Sequence, residues 1–287
     1  MGLRGVGYRL AAWGSRRLPA PAAFWLIERL ADVRWRTSRA DRQGVCANVS
    51  RVLGRPIEEG SPLVRDTFRN FGRYLVELFT FDVVAPPTLR LEGLEHLSGT
   101  LERVPGAIAM TAHLGNWELA ARVLRRMNIP VTVIALPHED PWMNAQLNWH
   151  RQQGGLNVLP LGAAAARQGL KHLRQGGVLG VLGDRDFSGH GVTVAWGDGE
   201  AMLPSGPAIL SLRSGAPVIP MVLAREGRWV FRLCVEPPIW PDTGGTNGAA
   251  IQRLTQRYAQ ALERFITRFP EQWIMFQPLV PAVKSGP

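Results

Sequence analysis

The stretch from Ala109 to Ala120, AMTAHLGNWELA, sets a histidine and a glutamate on either side of a Gly-Asn turn. The apolar run 107–112 predicts a strand that delivers His113 to the edge of a sheet. Gly115 permits a sharp turn and Asn116 is a good N-cap, so a helix is expected to begin at Trp117 with Glu118 in its first turn. On one continuous helix a spacing of five would set the two side chains about 140° apart. Across a strand–turn–helix junction, the turn can bring the carboxylate back onto the imidazole. A carboxylate on one ring nitrogen fixes the tautomer and raises the basicity of the other, which is then ready to take a hydroxyl proton. The exposed N–H groups of the helix start favour developing negative charge nearby. Such a pair suits a general base for acyl transfer, with no protein nucleophile. A lone HX4E also has a plainer reading: a hydrogen-bonded histidine followed by a capping glutamate.

The elements around this pair fall into two stretches. Residues 1–85 read as helical, with Leu, Trp, Phe, Ile and Val at three- and four-residue spacings and arginine between them. GYRLAAWGSRRL and the long run AAFWLIERLADVRWRTSRADRQGVCANVSRVLG each predict a helix, and 62–82 predicts a further, strongly apolar one. APPTLR at 85–90 marks a boundary. Beyond it, short continuous apolar strands alternate with amphipathic helices: GAIAMTAH, WELAARVLRRM, VTVIAL, PWMNAQLNWHRQQ, LNVLPL and so on to a helix at 249–269. That alternation predicts an α/β fold, a mostly parallel central sheet covered by helices on both faces, preceded by N-terminal amphipathic helices. The expected division is 1–85 as a membrane-associating helical region and 86–287 as the α/β domain, together one structural unit. Ligands of such sheets sit beyond the carboxyl ends of the strands, where both His113 and Asp184 fall.

Composition narrows the partners. Lys and Arg total 33 against 23 acidic residues, a net charge of +10, and only Lys171 and Lys284 are lysines. Residues 1–60 hold eleven arginines and five acids. A basic face of this kind calls for an anionic partner: phospholipid, nucleic acid or a phosphorylated substrate. Trp13, Phe24, Trp25 and Trp35, interleaved with arginine, fit a helix lying in a membrane interface, although an ordinary helix docked on the domain would look the same. No stretch supplies the roughly 20 unbroken apolar residues of a transmembrane helix. Arg4, Arg9, Arg16 and Arg17 interrupt any signal-peptide core. The two cysteines, Cys46 and Cys234, give neither a disulfide framework nor a metal site, and the other five histidines lack metal-ligand spacing. A G-x-S-x-G elbow, a Walker loop and an ordered GxGxxG are all missing.

HLGNWE resembles the HX4(D/E) signature of the glycerophosphate and lysophospholipid acyltransferase superfamily. More closely, it resembles the bacterial branch of late lipid A acyltransferases and phosphatidylinositol mannoside acyltransferases. GVLGVLGDRDFSGHGVTVAWGDGEAMLPSGPAILSLRSGAPVIPM (177–221) has that branch's order of motifs, and FPEQWIMFQPL (269–279) is similar to its C-terminal signature. The resemblance implies that His113 is the base and Glu118 its orienting carboxylate. Asn116 and the Asp184-Arg185-Asp186 run would line the site of acceptor and thioester. Arg185 has the shape to hold phosphate, with the plainer alternative of a turn salt bridge. Arg151 matches a basic position that could grip a donor or acceptor phosphate, with a solvated helix end as the competing reading. Some relatives place a glutamate after the aromatic-Gly pair, where this chain offers Asp198 and Glu200. Pro204, Gly206 and Pro207 would form the turn near the acyl donor.

The implied reaction moves a fatty acyl group from acyl-CoA or acyl carrier protein to a hydroxyl of a glycolipid, with no metal or other cofactor. DRDFSGHGV and PEQWIMFQP are nearer to the phosphatidylinositol mannoside branch, and a lipid A acceptor is the alternative. The expected partners are an anionic phospholipid membrane, the acyl donor and the glycolipid, but no nucleic acid. The expected place is the cytoplasmic face of a bacterial inner membrane, held peripherally. The pI near 10.9 leaves a basic nucleic-acid-binding protein as the reading of a different class.

Overall fold

The computed structural model describes residues 3–80, 86–242 and 244–279. Four helices come first: α1 (Leu3–Arg17), α2 (Ala20–Thr37), α3 (Arg39–Leu53) and α4 (Pro62–Thr80). The long run read as helical breaks at Ser38, whose backbone leaves the helical region (φ −99°, ψ 87°). The hydroxyl of Ser38 donates to Asp41 at 2.7 Å, within the first turn of α3. Residues 81–85, with the last two positions of the helix expected at 62–82 and the start of the expected boundary, lie outside the described residues.

Helix α2 is apolar on two sides. Ala23, Phe24, Ile27 and Ala31 are buried, while Trp25, Leu26, Leu30 and Val33 face outward. Trp13 of α1 is exposed too, with the Arg17 guanidinium 5.7 Å from its ring. Helices α2 and α4 are tied by Asp32, which accepts two hydrogen bonds from each of Arg65 and Arg69 at 2.8–3.0 Å. The Arg65 bonds, with those of Arg69, hold its carboxyl well below the usual carboxylate range. No helix among the described residues is long and apolar enough to cross a membrane.

After α4 the chain alternates strand and helix: β1 (Thr88–Glu92), α5 (Leu94–Leu101), β2 (Ala107–Thr111), α6 (Trp117–Arg126), β3 (Val131–Ala135), α7 (Pro141–Gln153), β4 (Asn157–Pro160), α8 (Ala163–Arg174) and β5 (Val178–Leu182). A hairpin, β6 (Val192–Trp196) and β7 (Gly199–Leu203), comes next. It is followed by α9 (Gly206–Ser214), β8 (Val218–Gly227), β9 (Val230–Val235) and α10 (Gly248–Arg268). Seven strands form the main sheet in the order β1-β9-β8-β2-β5-β3-β4, parallel except for the pair β8–β9. The fold is therefore α/β with a mostly parallel sheet flanked by helices, as the sequence pattern requires. Strand β1, helix α5 and the β6–β7 hairpin were not anticipated. The AWGDGE run is the antiparallel turn of that hairpin, with Ala195 opposite Glu200.

Strand β2 shows why the core divides in two. Its side chains alternate with period two. Ile108 and Met110 join one buried cluster with Val45, Val49, Phe68, Leu173 and residues of α9 and α10. Ala107 and Ala109 join the other, with α1, α2, α5, α6 and α7. Helix α4 serves both, Val64 and Phe68 on one side and Tyr74, Leu75 and Phe79 on the other. The first 80 residues thus share their core with the sheet. Both cysteines are free thiols, and burial pushes Cys234 up to about 11.

Candidate active site

The parallel register of β2 and β5 pairs Thr111 with Leu182, so the residues two further along, His113 and Asp184, meet beyond the strand ends. Nδ1 of His113 lies 2.9 Å from Oδ1 of Asp184. The backbone N–H of His113 donates to Oδ2 of the same carboxylate at 2.9 Å, and Nε1 of Trp273 donates to Oδ2, also at 2.9 Å. Asp184 is fully buried, whereas the imidazole keeps about 21% of its side-chain surface exposed. Burial pushes the Asp184 carboxyl up, but the charge of His113 and the bonds from His113 and Trp273 outweigh it, and the net direction is down. A neutral ring that donates from Nδ1 to this carboxylate has its lone pair on Nε2. The imidazole and the Trp117 ring meet in a T-shaped contact, ring centres 5.1 Å apart.

The turn that carries His113 is held from several sides. Gly115 has φ of 64°, and a Cβ there would sit 2.1 Å from the Leu223 carbonyl oxygen, so this position needs glycine on both counts. Asn116 caps α6 as expected, its side chain accepting from the Leu119 N–H at 2.9 Å. Its amide donates to Glu77 of α4 at 2.7 Å. Glu77, wholly buried, receives both ends of the Arg225 guanidinium from β8 at 2.6 Å. The expected substrate contact of Asn116 is therefore corrected: it is buried, and both of its side-chain atoms are committed within the protein.

Glu118 is also corrected as the orienting partner of His113. Trp117 takes the helix position facing the imidazole, and one residue on, about 100° round the helix, Glu118 points to α7 instead. There it binds the Arg151 guanidinium at two points, 2.5 and 3.0 Å. Arg151, expected to grip a phosphate, is thereby spent on Glu118, with only 12% of its side chain exposed. Beside this pair Tyr74 stacks on Trp117 at 4.5 Å, and burial pushes its hydroxyl well up.

The remaining candidates scatter. Arg185 donates to Gln277 and lies 4.6 Å over the Phe187 ring. Asp186 accepts from Ser188 and from the Gly191 N–H, closing its own loop. Asp198 lies 3.7 Å from Arg51, and the Glu200 carbonyl accepts from that same arginine. Both belong to the hairpin, Asp198 in its turn beside a shallow hollow lined by Arg51, Gly197, Glu263 and Arg264 and Glu200 in β7, and these contacts are not with the His113 group. Gly206 opens α9 at an exposed position with open space around it.

What the residue types did not reveal is a narrow apolar crevice between the sheet and helices α6 and α7. Its floor is a set of side-chain rows across three strands. Ala109, Gly180 and Val133 pair across β2, β5 and β3, Thr111 pairs with Leu182 in the next row, and Ala135 of β3 also lines the floor. His113 and Asp184 lie two residues beyond the strand ends and do not themselves line the crevice; Trp117, against the imidazole, does. Small residues on both layers, Ala109, Gly180, Ala120 and Ala121, leave the space. From Val131 to Ala135 the floor runs about 13 Å at the strand rise of roughly 3.3 Å per residue. Trp117, Glu118 and Arg151 line the wall nearest the imidazole. The signal for this crevice was present in the sequence as alanine and glycine where β-branched residues would be normal.

Comparison with known proteins gives this geometry a family. The chain is 30% identical over 242 residues to a phosphatidylinositol mannoside acyltransferase of Mycobacterium tuberculosis, covering 80% of this chain and 74% of that protein. It is 25% identical over 257 residues to one from Mycolicibacterium smegmatis, covering 86% and 82%. The family described as bacterial lipid A biosynthesis acyltransferase matches residues 8–280. With nearly the whole chain matched, and a histidine held against a buried carboxylate beside a tryptophan that lines an apolar crevice, this protein belongs to the bacterial lipid A biosynthesis acyltransferase family and is an acyltransferase.

Proposed function

We propose that this protein moves a fatty acyl group from a thioester, acyl-CoA or acyl carrier protein, to a hydroxyl of a phosphatidylinositol mannoside-like glycolipid. The observation that carries the reading is the braced imidazole, partly open, packed on Trp117 at the wall of the apolar crevice. The acyl chain lies along the crevice with its thioester carbonyl near His113. Nε2 removes the proton from the acceptor hydroxyl, and the alkoxide attacks the carbonyl. As the tetrahedral intermediate collapses, the carbon–sulfur bond breaks and the imidazolium returns its proton to the departing sulfur. Asp184 keeps the ring in one tautomer throughout and steadies the imidazolium. The names of the mycobacterial relatives support the mannoside acceptor, and the family description keeps a lipid A-type acceptor as the second reading.

The acceptor is drawn from an anionic leaflet, on the cytoplasmic face of a bacterial inner membrane. Support comes from the outward face of α1 and α2, where Trp13, Trp25, Leu30 and Val33 are exposed alongside Arg16, Arg29 and Arg36. In the test, purified protein receives a panel of acyl-CoAs and acyl carrier proteins with candidate glycolipids in anionic vesicles, and products are identified by mass spectrometry. Transfer to the mannoside lipid, lost in His113→Ala, is the expected result. A folded His113→Ala variant with near-normal transfer would end the proposal, and transfer only to a lipid A precursor would replace the acceptor.

A further inference from the structure

The C-terminal PEQW segment has no part in the chemistry described so far, yet it reaches the centre of the site. Leu114 and Trp273 form an antiparallel bridge. The N–H of Ile274 donates to the His113 carbonyl at 2.7 Å, and the N–H of Gly115 donates to the Gln272 carbonyl at 3.1 Å. These bonds on either side fix the backbone of Trp273 to the backbone of the base. Its side chain, fully buried, spans to the carboxylate on the other strand.

An indole N–H donates and cannot accept. Facing Oδ2 of Asp184, it is satisfied only while that oxygen carries a lone pair toward it. A carboxyl rotated to put a hydroxyl there would leave two buried donors opposed. The His113 backbone N–H, on the same oxygen, adds to this. Oδ1 is left for the imidazole. We propose that Trp273 is a positioning residue for the transfer reaction, its indole N–H holding the Asp184 carboxylate turned with Oδ1 toward His113. This rests on the general-base reading of His113.

The other charged groups near the imidazole are already matched. On α6 and α7, Glu118 and Arg151 hold each other. On α4 and β8, Glu77 and Arg225 do the same. Arg185, next to Asp184, is turned to Gln277 and Phe187. The donor removed in a variant would therefore have no described substitute.

The test uses the full chain with Trp273→Phe and, separately, with benzothienylalanine placed at 273 alone, which keeps the bicyclic shape and puts sulfur where the N–H was. His113 is titrated by NMR in histidine-labelled protein, and donor kinetics are measured beside it. A carboxylate relieved of one donor concentrates its charge on the imidazolium, so the His113 midpoint should rise by about half a pH unit or more. The acid limb of kcat/KM should move up with it. Loss of a charge-assisted hydrogen bond should lower kcat about ten-fold, with donor KM within about two-fold. An isosteric variant in which neither the His113 titration nor kcat moves would overturn the proposal and leave Trp273 as a space-filling side chain. The titration does not depend on activity, so failure of the base reading, seen as transfer by His113→Ala, stays distinguishable from failure of this one.

Discussion

Two buried carboxylates lie close to His113, one five residues along the chain and one 71 residues away, and the distant one touches the ring. Glu118 is fixed by where a helix begins. Asp184 is fixed by the register of two neighbouring parallel strands. The first kind of placement is local and readable as a motif, but helix geometry then points the side chain away from the base. The second is non-local, and it is the one that sets a carboxylate against the imidazole. The HX4E spacing therefore marks the turn and the crevice wall, while the contact with the imidazole is made across the sheet, and the proposed relay with it.

Substitutions at the two acids should separate these roles. Asp184→Asn keeps the shape but offers the imidazole the wrong partner, and kcat should fall about 10³–10⁴-fold, on the order of 4–5.5 kcal/mol of barrier. Steady-state transfer assays with a folded variant check this, and a loss under ten-fold would return the orienting role to another group. Glu118→Gln should leave the buried Arg151 without a counter-charge, lowering stability by about 3–5 kcal/mol in denaturant melts. Its rate, per folded molecule, should fall less than that of Asp184→Asn, by about 10–100-fold. Equal losses from the two would erase the distinction.

The smallest expected effect tests the crevice that joins them. Gly180→Val sets methyl groups in the middle of the floor, where even a Cβ would lie 3.2 Å from Val133. Transfer of long acyl chains should fall about ten-fold, the usual scale for one ill-fitting methylene or two in an apolar pocket, while a butyryl donor stays near its original rate. Equal rates for both chain lengths would show that the acyl group lies elsewhere.

Much of the architecture was visible in the sequence because it is local. Continuous apolar runs such as AIAMT and VLGVL belong to strands buried on both faces, and Asn116 before Trp117 is a cap that any reading finds. His113 and Asp184 were both placed at strand ends for the same reason. Their contact was not visible, since nothing within either segment states which strands are neighbours. The hairpin was missed because GDGE was read as part of a ligand motif rather than as the turn between two short strands. Arg151 was read as a free cation because its partner lies 33 residues back, on another helix. Trp273 sat within a recognised signature, but a tryptophan's spacing says nothing about where its N–H will point.

The Glu77–Arg225 pair carries a consequence for how this protein can be divided. Glu77 belongs to the helices ahead of the sheet, Arg225 to a central strand, and Asn116, bound to the same carboxylate, starts the helix that follows the His113 turn. Removing the leading helices would strand a guanidinium in a dry interior and slacken the loop around the imidazole. The helical preface is thus part of the enzyme's keystone rather than a detachable handle, and melting it melts the catalyst with it.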